Sequence, residues 1–530
     1  MFHYRHRPFQ IFTLAFITAM FFPRVLPEGM FADCLTYSSI ARNMAEARGS
    51  FWSPYFSSSF WIPFQGTQYE FYGHPTLAMG MQSLLFKILG DHWFVEKLYC
   101  IIIWCITVFL MIKLWQQQGR DKHLWWLPVL VWYMMPTVLW SYPNFILDST
   151  MAVFSIIAAL VILKQCPPQY FGDRGLEIGD RRLSPTHNPQ TLNPQPLNST
   201  FYSPISNLQS LLAGVFLHLA FLTKGPVGLF PLAIPCIYWF VYERNIGKEA
   251  FFKALKHTFW ILLGSVGTLS LWYFYAPARH FWTQYINIQL VSSISENDQT
   301  GAYSVWDYFF IPKQLIIQSA PLLGVLLILF IFSKIKKTTF IFEKLASQKA
   351  FFFILIALSG SLPMMISHKA SDYFLIPALP FLVLGFSLWL EPTISIWLDK
   401  FAILKYKSLI VNRFMYVLAT GVGVYCLLQI GRVGREKELI HDIKLLSQNN
   451  VIPRGSKIAV CDKMMGHFYY HAYFQRYSGW ELTPLSDTTA GYFINDDGLC
   501  NPLELEKMHH FLHFKHQKIK GLETFILFKK

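Results

Sequence analysis

The chain has 530 residues, of which 53% are hydrophobic and only 14% are charged. A soluble chain carries about a quarter charged residues, so this composition excludes an ordinary soluble domain and indicates an integral membrane protein. The formal net charge is +14, but the basic residues lie in short clusters between apolar runs rather than in one patch, so we do not expect nucleic-acid binding.

Apolar runs that could cross a bilayer recur along the first 430 residues. A helical span needs about 20 apolar residues. The first run resembles a signal peptide, but no small-residue cleavage site follows it, so we predict an uncleaved anchor. We count about eleven spans. The number is approximate because the two short runs that flank Lys224 could instead form one broken hairpin. The predicted spans are residues 9–27, 94–114, 123–140, 146–164, 208–222, 226–242, 257–276, 311–332, 350–367, 372–390 and 409–430.

The distribution of Lys and Arg among the loops predicts the orientation of the chain. Most of these residues fall in the loops on the same side as the N-terminus, and the opposite loops hold fewer over a longer stretch of sequence. Because cytoplasmic loops are enriched in Lys and Arg, we expect the N-terminus in the cytoplasm. An odd number of spans then places the residues after 430 on the extracytoplasmic side.

Three segments are too polar to lie in the bilayer. Residues 28–93 are predicted to form an external loop with amphipathic helices, and residues 165–207, rich in Pro, Asn and Gln, a disordered cytoplasmic linker. In residues 431–530, KIAVCD and TFILFKK are typical of strands and GHFYYHAYFQRYS of an amphipathic helix. We therefore predict a polytopic all-α membrane module, residues 1–430, followed by a small extracytoplasmic α/β domain.

The external loop contains two stretches with chemically capable side chains. In EGMFADCLTYSSIARNMAEARG, apolar residues recur at helical spacing and Asp33 lies where the helix would start, so it could be an N-cap or a general base. In YEFYGHPTLAMGMQSLLFKILG, Glu70 and His74 precede Pro75, which suits the first turn of an apolar helix. His74 could be a hydrogen-bonded interfacial residue or part of a binding site.

Further ionisable residues lie at the ends of later spans. Asp148 begins a span, where an ionisable group is costly and thus a candidate for function, although the helix dipole could also favour it there. Lys224 precedes a Gly-Pro pair between two apolar runs; it could line a cavity and bind an anionic head group, or extend to the interface. Lys369 lies in a short external turn with Asp372, which could neutralise it, and Arg279 adds a further possible cation.

These acids and cations suit two kinds of chemistry. For sugar transfer from a lipid phosphate donor, a base would activate the acceptor hydroxyl and the cations would stabilise the phosphate leaving group. The same set suits a transporter or flippase for a lipid-linked saccharide, although a transporter would be expected to show internal repeats and ionisable groups near the middle of the bilayer. A non-catalytic assembly subunit is a third alternative.

The order of these motifs resembles the GT-C glycosyltransferases of the protein O-mannosyltransferase and lipid A aminoarabinose transferase group. The similarity covers roughly residues 9–390. It lies in ADCLTYSSIARNMAE, in the aromatic-acidic stretch ending in His-Pro, in NFILDSTMAVF, in LTKGP at 222–226 and in HKASDYFLIPALP. The chain departs from the group at Cys34, where many members have a second acid, and at His74, where several have Lys.

The resemblance implies an inverting transfer of a sugar from a polyprenyl-phosphate-linked donor at the outer face of the cytoplasmic membrane. Lipid A, a protein or a surface glycan could be the acceptor. Asp33 and Asp148 would be the catalytic acids. The expected donor-phosphate-binding residues are Lys224, Lys369, His74 and, from its position alone, Arg279. The expected substrate-binding residues are Tyr37, Glu70 and Tyr373.

The eight cysteines form no CxxC pair and no spacing typical of metal ligands. Cys461 and Cys500 share the C-terminal region and could pair if that region faces an oxidising compartment. No cluster of ligands predicts a divalent cation, although the acids and His74 in one loop leave such a cofactor open.

Overall fold

The computed structural model describes residues 3–59, 69–165, 204–245, 247–291, 308–336, 343–366, 371–402, 405–448, 451–496, 499–500 and 515–529. Nearly all of the predicted linker, 165–207, therefore lies outside the described residues. The α-helices are α1 (His3–Val25), α2 (Ala32–Ala45), α3 (Leu77–Leu89), α4 (Val95–Gln118), α5 (Trp126–Tyr133), α6 (Pro136–Ser141), α7 (Leu147–Leu163), α8 (Pro204–Lys224), α9 (Ile234–Tyr238), α10 (Lys248–Tyr273), α11 (Ala276–Tyr285), α12 (Phe310–Gln318), α13 (Ala320–Lys336), α14 (Lys344–Ser361), α15 (Leu379–Ala402), α16 (Lys405–Leu427), α17 (Lys437–Gln448), α18 (Asp462–Met465) and α19 (Phe468–Ser478).

Shorter helical segments connect or extend several of these helices. They are 3₁₀ turns at Lys122–Trp125, Pro226–Ala233, Leu362–Ile366 and Asp372–Leu375, and π-helical turns at Trp239–Glu243 and Ile286–Val291. The strands are β1 (Gly49–Ser50), β2 (Ser53–Pro54), β3 (Lys457–Val460), β4 (Glu481–Pro484), β5 (Tyr492–Asp496), β6 (Lys515–Gln517) and β7 (Phe525–Lys529).

Within the described residues, five helices are long and apolar enough to cross a membrane, or up to seven if each of two bent pairs is one span. The five are His6–Val25, Val95–Gln118, Pro226–Glu243, Lys344–Ile366 and Leu379–Leu398. Other predicted spans correspond to shorter or interrupted helices. For example, α7 has 17 residues, and the region predicted as one span at 123–140 is divided into a 3₁₀ turn, α5 and α6. The count of eleven stays a prediction.

The interruptions have local causes in the sequence. Pro136 is at the start of α6, because proline lacks the N–H that a continuing helix would need from it. At the end of α8, Gly225 has φ +104°, a conformation that favours glycine, and Pro226 opens the 3₁₀ segment that follows. The chain therefore changes direction directly after Lys224, the last residue of α8.

The C-terminal region contains a five-stranded mixed sheet with the order β4-β3-β5-β7-β6. β3 pairs in parallel with β4 and β5, and β7 pairs antiparallel with β5 and β6. α18 and α19 form the crossover between β3 and β4, which a parallel pair requires. A disulfide joins Cys461, directly after β3, to Cys500.

This region packs on the end of the helical bundle where α1 ends and α4 begins. Glu28, just after α1, forms a parallel β-bridge with Val433, and its backbone N–H donates to the carbonyl oxygen of Arg432 at 2.8 Å. α19 packs against α2, and one hydrophobic core runs without a break from the bundle into the C-terminal region. Because the two parts share a core, they form one continuous packing unit.

Candidate active site

A cavity of about 260 Å³ lies where α2 and α7 begin and α8 ends. Its volume is just below the range of roughly 300–1,000 Å³ that is common for small-molecule sites. Both predicted acids, Asp33 and Asp148, line this cavity together with Lys224. The remaining lining residues are Tyr37, His74, Ile146, Leu147, Gln289, Ser371, Tyr373 and Phe374. Residues far apart in the chain thus form one site.

Asp33 lies in the first turn of α2 and is half-buried. The helix begins after Phe31, whose extended backbone makes it the N-cap, so the interpretation of Asp33 as the cap is wrong. The Phe31 N–H instead donates to the side-chain oxygen of Asn144 at 3.2 Å, which connects the start of α2 to the loop before α7. Burial raises the pKa of the Asp33 carboxyl, and the positive charge of Lys224 partly opposes this increase.

Asp148 and Lys224 form a buried ion pair. The Lys224 ammonium donates to Oδ2 of Asp148, and the two side chains are 7% and 1% exposed. Oδ1 of Asp148 is buried without a hydrogen-bond partner among the described residues. Because a buried charge is stable only when it is paired, each residue fixes the other in place. Lys224 is therefore buried at the cavity rather than extended to the interface.

The Lys224 ammonium also lies close to two aromatic rings. The nitrogen lies 4.6 Å from the ring centre of Tyr373 and 4.1 Å from that of Phe374, within the range of cation–π attraction. Tyr373 is in turn stacked on Trp140, with ring centres 6.1 Å apart. A cation that contacts a carboxylate and two aromatic rings has a fixed position, and Lys224 still lines the cavity.

Tyr37 and His74 form another side of the cavity. Their rings meet edge to face, with centres 5.7 Å apart, and Tyr37 also contacts Phe145. Burial, together with the charge of Lys224, lowers the pKa of His74 to about 3. The imidazole is therefore neutral at physiological pH, so it can donate a hydrogen bond to an anion but contributes no positive charge. Burial also raises the pKa of the Tyr37 hydroxyl, which stays protonated.

Two predicted site residues that the structure describes, Glu70 and Arg279, do not line the cavity, and a third, Lys369, cannot be placed. Glu70 is bridged to Tyr55 in the backbone pairing of the external loop. Arg279 is exposed on α11, with its guanidinium 5.5 Å from the ring centre of Tyr273. Lys369 lies outside the described residues, although Ser371 and Tyr373, which follow it, line the cavity.

Gln289, Ser371 and Phe374 line the cavity but were not among the predicted site residues. Gln289 belongs to the π-helical turn after α11, and no motif in the sequence marks it. Phe374 follows Tyr373 directly and could have been suspected from the aromatic pair beside the predicted Lys369. Among the described residues there is no group of three or more His, Cys, Asp or Glu side chains that could hold a metal ion.

Comparison with solved structures decides the fold. ArnT from Cupriavidus metallidurans bound to undecaprenyl phosphate is similar with a TM-score of 0.60 and 12% identity, over 98% of this chain and 97% of that one. The chain has the ArnT fold. The apo state of ArnT gives a TM-score of 0.58 with 13% identity, over 98% of this chain and 96% of ArnT. The predicted resemblance to the fold of the lipid A aminoarabinose transferase group is therefore confirmed.

The ArnT fold extends over the helical bundle and the C-terminal sheet alike, because the similarity covers nearly all of both chains. An oligosaccharyltransferase from Archaeoglobus fulgidus in complex with Zn and sulfate is similar over 92% of this chain and 68% of that one, with a TM-score of 0.46 and 11% identity. No family model matches the sequence, and no curated protein sequence matches it.

Proposed function

We propose that the protein is an inverting glycosyltransferase that moves a sugar from a polyprenyl-phosphate-linked donor to an acceptor hydroxyl. The observation that carries the proposal is the cavity at the end of the bundle, which has a half-buried carboxylate, Asp33, facing a buried cation, Lys224. Inverting transfer needs these two groups on opposite sides of the reacting bond: a base for the acceptor and a positive charge for the leaving phosphate.

Asp33 is the proposed general base. The acceptor oxygen would attack the anomeric carbon of the donor while Asp33 takes the hydroxyl proton, and the bond between that carbon and the phosphate oxygen would break. A carboxylate whose pKa is raised by burial accepts a proton more readily than an ordinary aspartate, because its charged form is less well solvated. The products are the new glycosidic bond, a protonated Asp33 and polyprenyl phosphate, so the atoms and charges balance.

Lys224 is the proposed contact for the donor phosphate. The negative charge on the phosphate increases as the sugar leaves, so a preorganised cation stabilises the transition state more than the ground state. Asp148 keeps the ammonium in place, and its role is therefore to hold Lys224 rather than to exchange a proton with the substrate. The neutral His74 would donate a hydrogen bond to the same phosphate. Arg279, which does not line the cavity, and Lys369, which lies outside the described residues, remain candidates from the sequence.

The proposed donor matches the fold and the surroundings of the cavity. ArnT, with the same fold, has been solved with undecaprenyl phosphate bound. Lys224, which lines the cavity, lies just before the start of Pro226–Glu243, one of the helices long and apolar enough to cross a membrane, so a lipid-linked phosphate would reach the cavity from the bilayer. We infer an inner-membrane location with a cytoplasmic N-terminus, with residues 1–430 as the catalytic module and 431–530 as an extracytoplasmic domain. The acceptor would be lipid A, a protein or a surface glycan.

The test uses the full-length chain in proteoliposomes with labelled polyprenyl-phosphate-linked sugars and extracted envelope material as the acceptor. We expect label in the acceptor fraction and equimolar release of polyprenyl phosphate. Asp33→Asn should lower the rate by at least about a hundredfold with little change in the affinity for undecaprenyl phosphate, because a positioned base supplies 10²- to 10⁴-fold. Lys224→Gln should lower both the rate and that affinity.

The matched controls are Asp462→Asn and Lys87→Gln, which remove one charge of each sign at exposed positions away from the cavity. Both should retain the wild-type rate. Movement of the labelled lipid across the bilayer without a new glycosidic bond would contradict the proposal and favour a flippase. Full activity of Asp33→Asn would contradict its role as the base.

A further inference from the structure

The helix that carries Asp33 is held at both of its ends by the C-terminal region. We propose that Arg42, in the last turn of α2, is a positioning residue that fixes this helix on α19 and thereby keeps Asp33 at the cavity. The role of Asp33 in this inference rests on the proposed function, whereas the mechanical role of Arg42 does not.

Arg42 is one of the largest fully buried side chains, with 1% exposure. Its Nη1 atom donates to the carbonyl oxygens of Gln475 and Arg476 at 2.8 and 3.2 Å, and Nη2 donates to Oε1 of Gln475 at 2.8 Å. The remaining bonds go to Oδ1 of Asn43. A buried guanidinium is costly unless its donors are satisfied, and here the acceptors are the C-terminal carbonyls of α19, where the helix dipole favours a cation.

Arg42 therefore differs from an ordinary ion pair. Its closest carboxylate oxygen belongs to Asp91, at 3.9 Å, so carbonyl oxygens rather than opposite charge hold it. The geometry of five N–H groups fixes both the distance and the angle between α2 and α19. Burial lowers the pKa of Arg42 to about 10, and the group remains charged at neutral pH.

α19 is itself anchored to the helical bundle. Arg476 is buried and donates to Oε2 of Glu96 and to Oδ1 of Asp91, each at 2.7 Å. Glu96 lies in the first turn of α4, so this pair fixes α19 to the start of a membrane helix. Arg42 thus binds α2 to an element that cannot move independently of the bundle.

The other end of α2 is attached to the same region. The hydroxyl of Tyr473, on α19, donates to the carbonyl oxygen of Met30 at 2.7 Å, just before the helix begins. Nearby, the backbone N–H of Gly434 donates to the carbonyl oxygen of Glu28 at 2.9 Å. The C-terminal region therefore forms hydrogen bonds with both ends of α2: with the segment just before Asp33 and with the turn that contains Arg42.

The geometry of α2 makes this attachment relevant to chemistry. Asp33 and Arg42 are nine residues apart, which is about 14 Å along an α-helix. Catalytic groups must stay within about 0.5 Å of their productive positions, and over this length that corresponds to a tilt of about 2°. Lys224 and Asp148 belong to α8 and α7, and among the described residues Arg42 forms no hydrogen bond or ion pair with either helix. Loosening α2 should therefore displace the base without disturbing the phosphate contact.

The test compares Arg42→Gln with the matched control Arg454→Gln in the full-length protein. Arg454 also contacts Asp91, and Glu46 as well, but its side chain is 52% exposed. For Arg42→Gln we expect faster amide hydrogen exchange in residues 32–45, unchanged exchange in β3 and β7, and a ten- to hundredfold lower kcat, since a displacement of about 1 Å can cost 10²-fold. The donor KM and the affinity for undecaprenyl phosphate should stay within about twofold. Arg454→Gln should match wild type in all four measurements.

Tyr473→Phe is the second variant, because it removes the bond to Met30 without a change in volume and keeps the proposal testable if Arg42→Gln does not fold. It should show the same separation of kcat from KM to a smaller extent. Equal losses of kcat and undecaprenyl phosphate affinity, or unchanged exchange in residues 32–45, would overturn the proposal. If the wild type transfers no sugar, the proposed function fails, but the exchange measurement still decides whether Arg42 fixes α2.

Discussion

Replacing Gly225 with alanine tests whether α8 must end where it does for Lys224 to meet Asp148. Gly225 has φ +104° and ψ −156°, a region of backbone conformation that is almost exclusive to glycine. A Cβ atom at this position would lie 2.4 Å from the hydroxyl oxygen of Tyr285. Tyr285 is 1% exposed and packs against Phe281 and Trp282, so its ring cannot rotate away.

Gly225→Ala should lower the free energy of unfolding through two effects that add. Holding a non-glycine residue in this conformation costs about 1–3 kcal/mol. Overpacking against a fixed ring costs about 1–3 kcal/mol more. The protein can avoid these costs only by moving the end of α8, which would separate Lys224 from Asp148. Since a hydrogen bond to a charged group contributes about 1.5–3 kcal/mol, we expect the affinity for undecaprenyl phosphate to fall about ten- to hundredfold.

Thermal unfolding of the purified protein and binding of undecaprenyl phosphate are the two measurements. Tyr285→Phe in the Gly225→Ala background removes the atom that the new Cβ meets, so the double variant should recover the overpacking part of the loss and retain the backbone part. Gly267→Ala is the matched control, because a Cβ there meets nothing within 4 Å in the middle of α10. It should be neutral or more stable by up to about 1 kcal/mol.

The reasoning would be refuted if Gly225→Ala unfolded at the same temperature as Gly267→Ala and bound the lipid phosphate equally well. It would also be refuted in part if Tyr285→Phe gave no recovery, because the contact with the Tyr285 hydroxyl would then not be the obstacle.

Three further expectations concern protonation and redox state. Because burial raises the pKa of Asp33, the transfer rate should fall with decreasing pH through a pKa above the ordinary aspartate value of about 3.9, and Asp33→Asn should lack this dependence. His74 has its pKa lowered to about 3, so His74→Gln should leave the pH profile unchanged between about pH 5 and 8 while weakening donor binding a few-fold. Reduction of the Cys461–Cys500 bond, which spans 39 residues, should destabilise the C-terminal region by about 4 kcal/mol in thermal unfolding.

Each of these expectations has its own control. A pH profile of Asp33→Asn that matched wild type would show that another group titrates. If the pH profile of the wild type showed an ionisation near pH 6 that was absent from the profile of His74→Gln, the imidazole of His74 would not be neutral at physiological pH. For the disulfide, Cys461→Ser with Cys500→Ser should reproduce the effect of the reductant, whereas reductant should have no further effect on that variant.

The sequence predicted elements whose signals are local. Apolar runs of 20 residues predicted α1, α4 and the spans near 350–390, and strands occur at Lys457–Val460 and Phe525–Lys529, where apolar β-prone runs were recognised. The ends of the helices were harder to predict from the sequence. The sequence predicts a helix start at Asp33, with Asp33 as a cap or a general base, whereas α2 begins after Phe31, whose N–H donates to Asn144, 113 residues away in the chain. No local pattern could have indicated that contact.

The sequence also predicted several of the residues that line the cavity one by one, but it did not predict which of them contact each other. Asp148 and Lys224 each raised a functional hypothesis, yet their pairing depends on the packing of α7 along α8 across 76 residues of sequence. No pattern in the sequence marks Arg42, because a buried arginine is indistinguishable in sequence from an exposed one. Its importance arises from Gln475 and Arg476, more than 430 residues later.

That separation has a consequence for biosynthesis. The groups that hold the helix of Asp33 are made 434 residues after Arg42, which at 5–20 residues per second corresponds to about 20 to 90 s of translation. During this interval α2 lacks its contacts with the C-terminal region, and Asp33 is held only by its neighbours in the bundle. A chain released early would insert its membrane helices without these contacts, so the proposed base, Asp33, would not be fixed at the cavity.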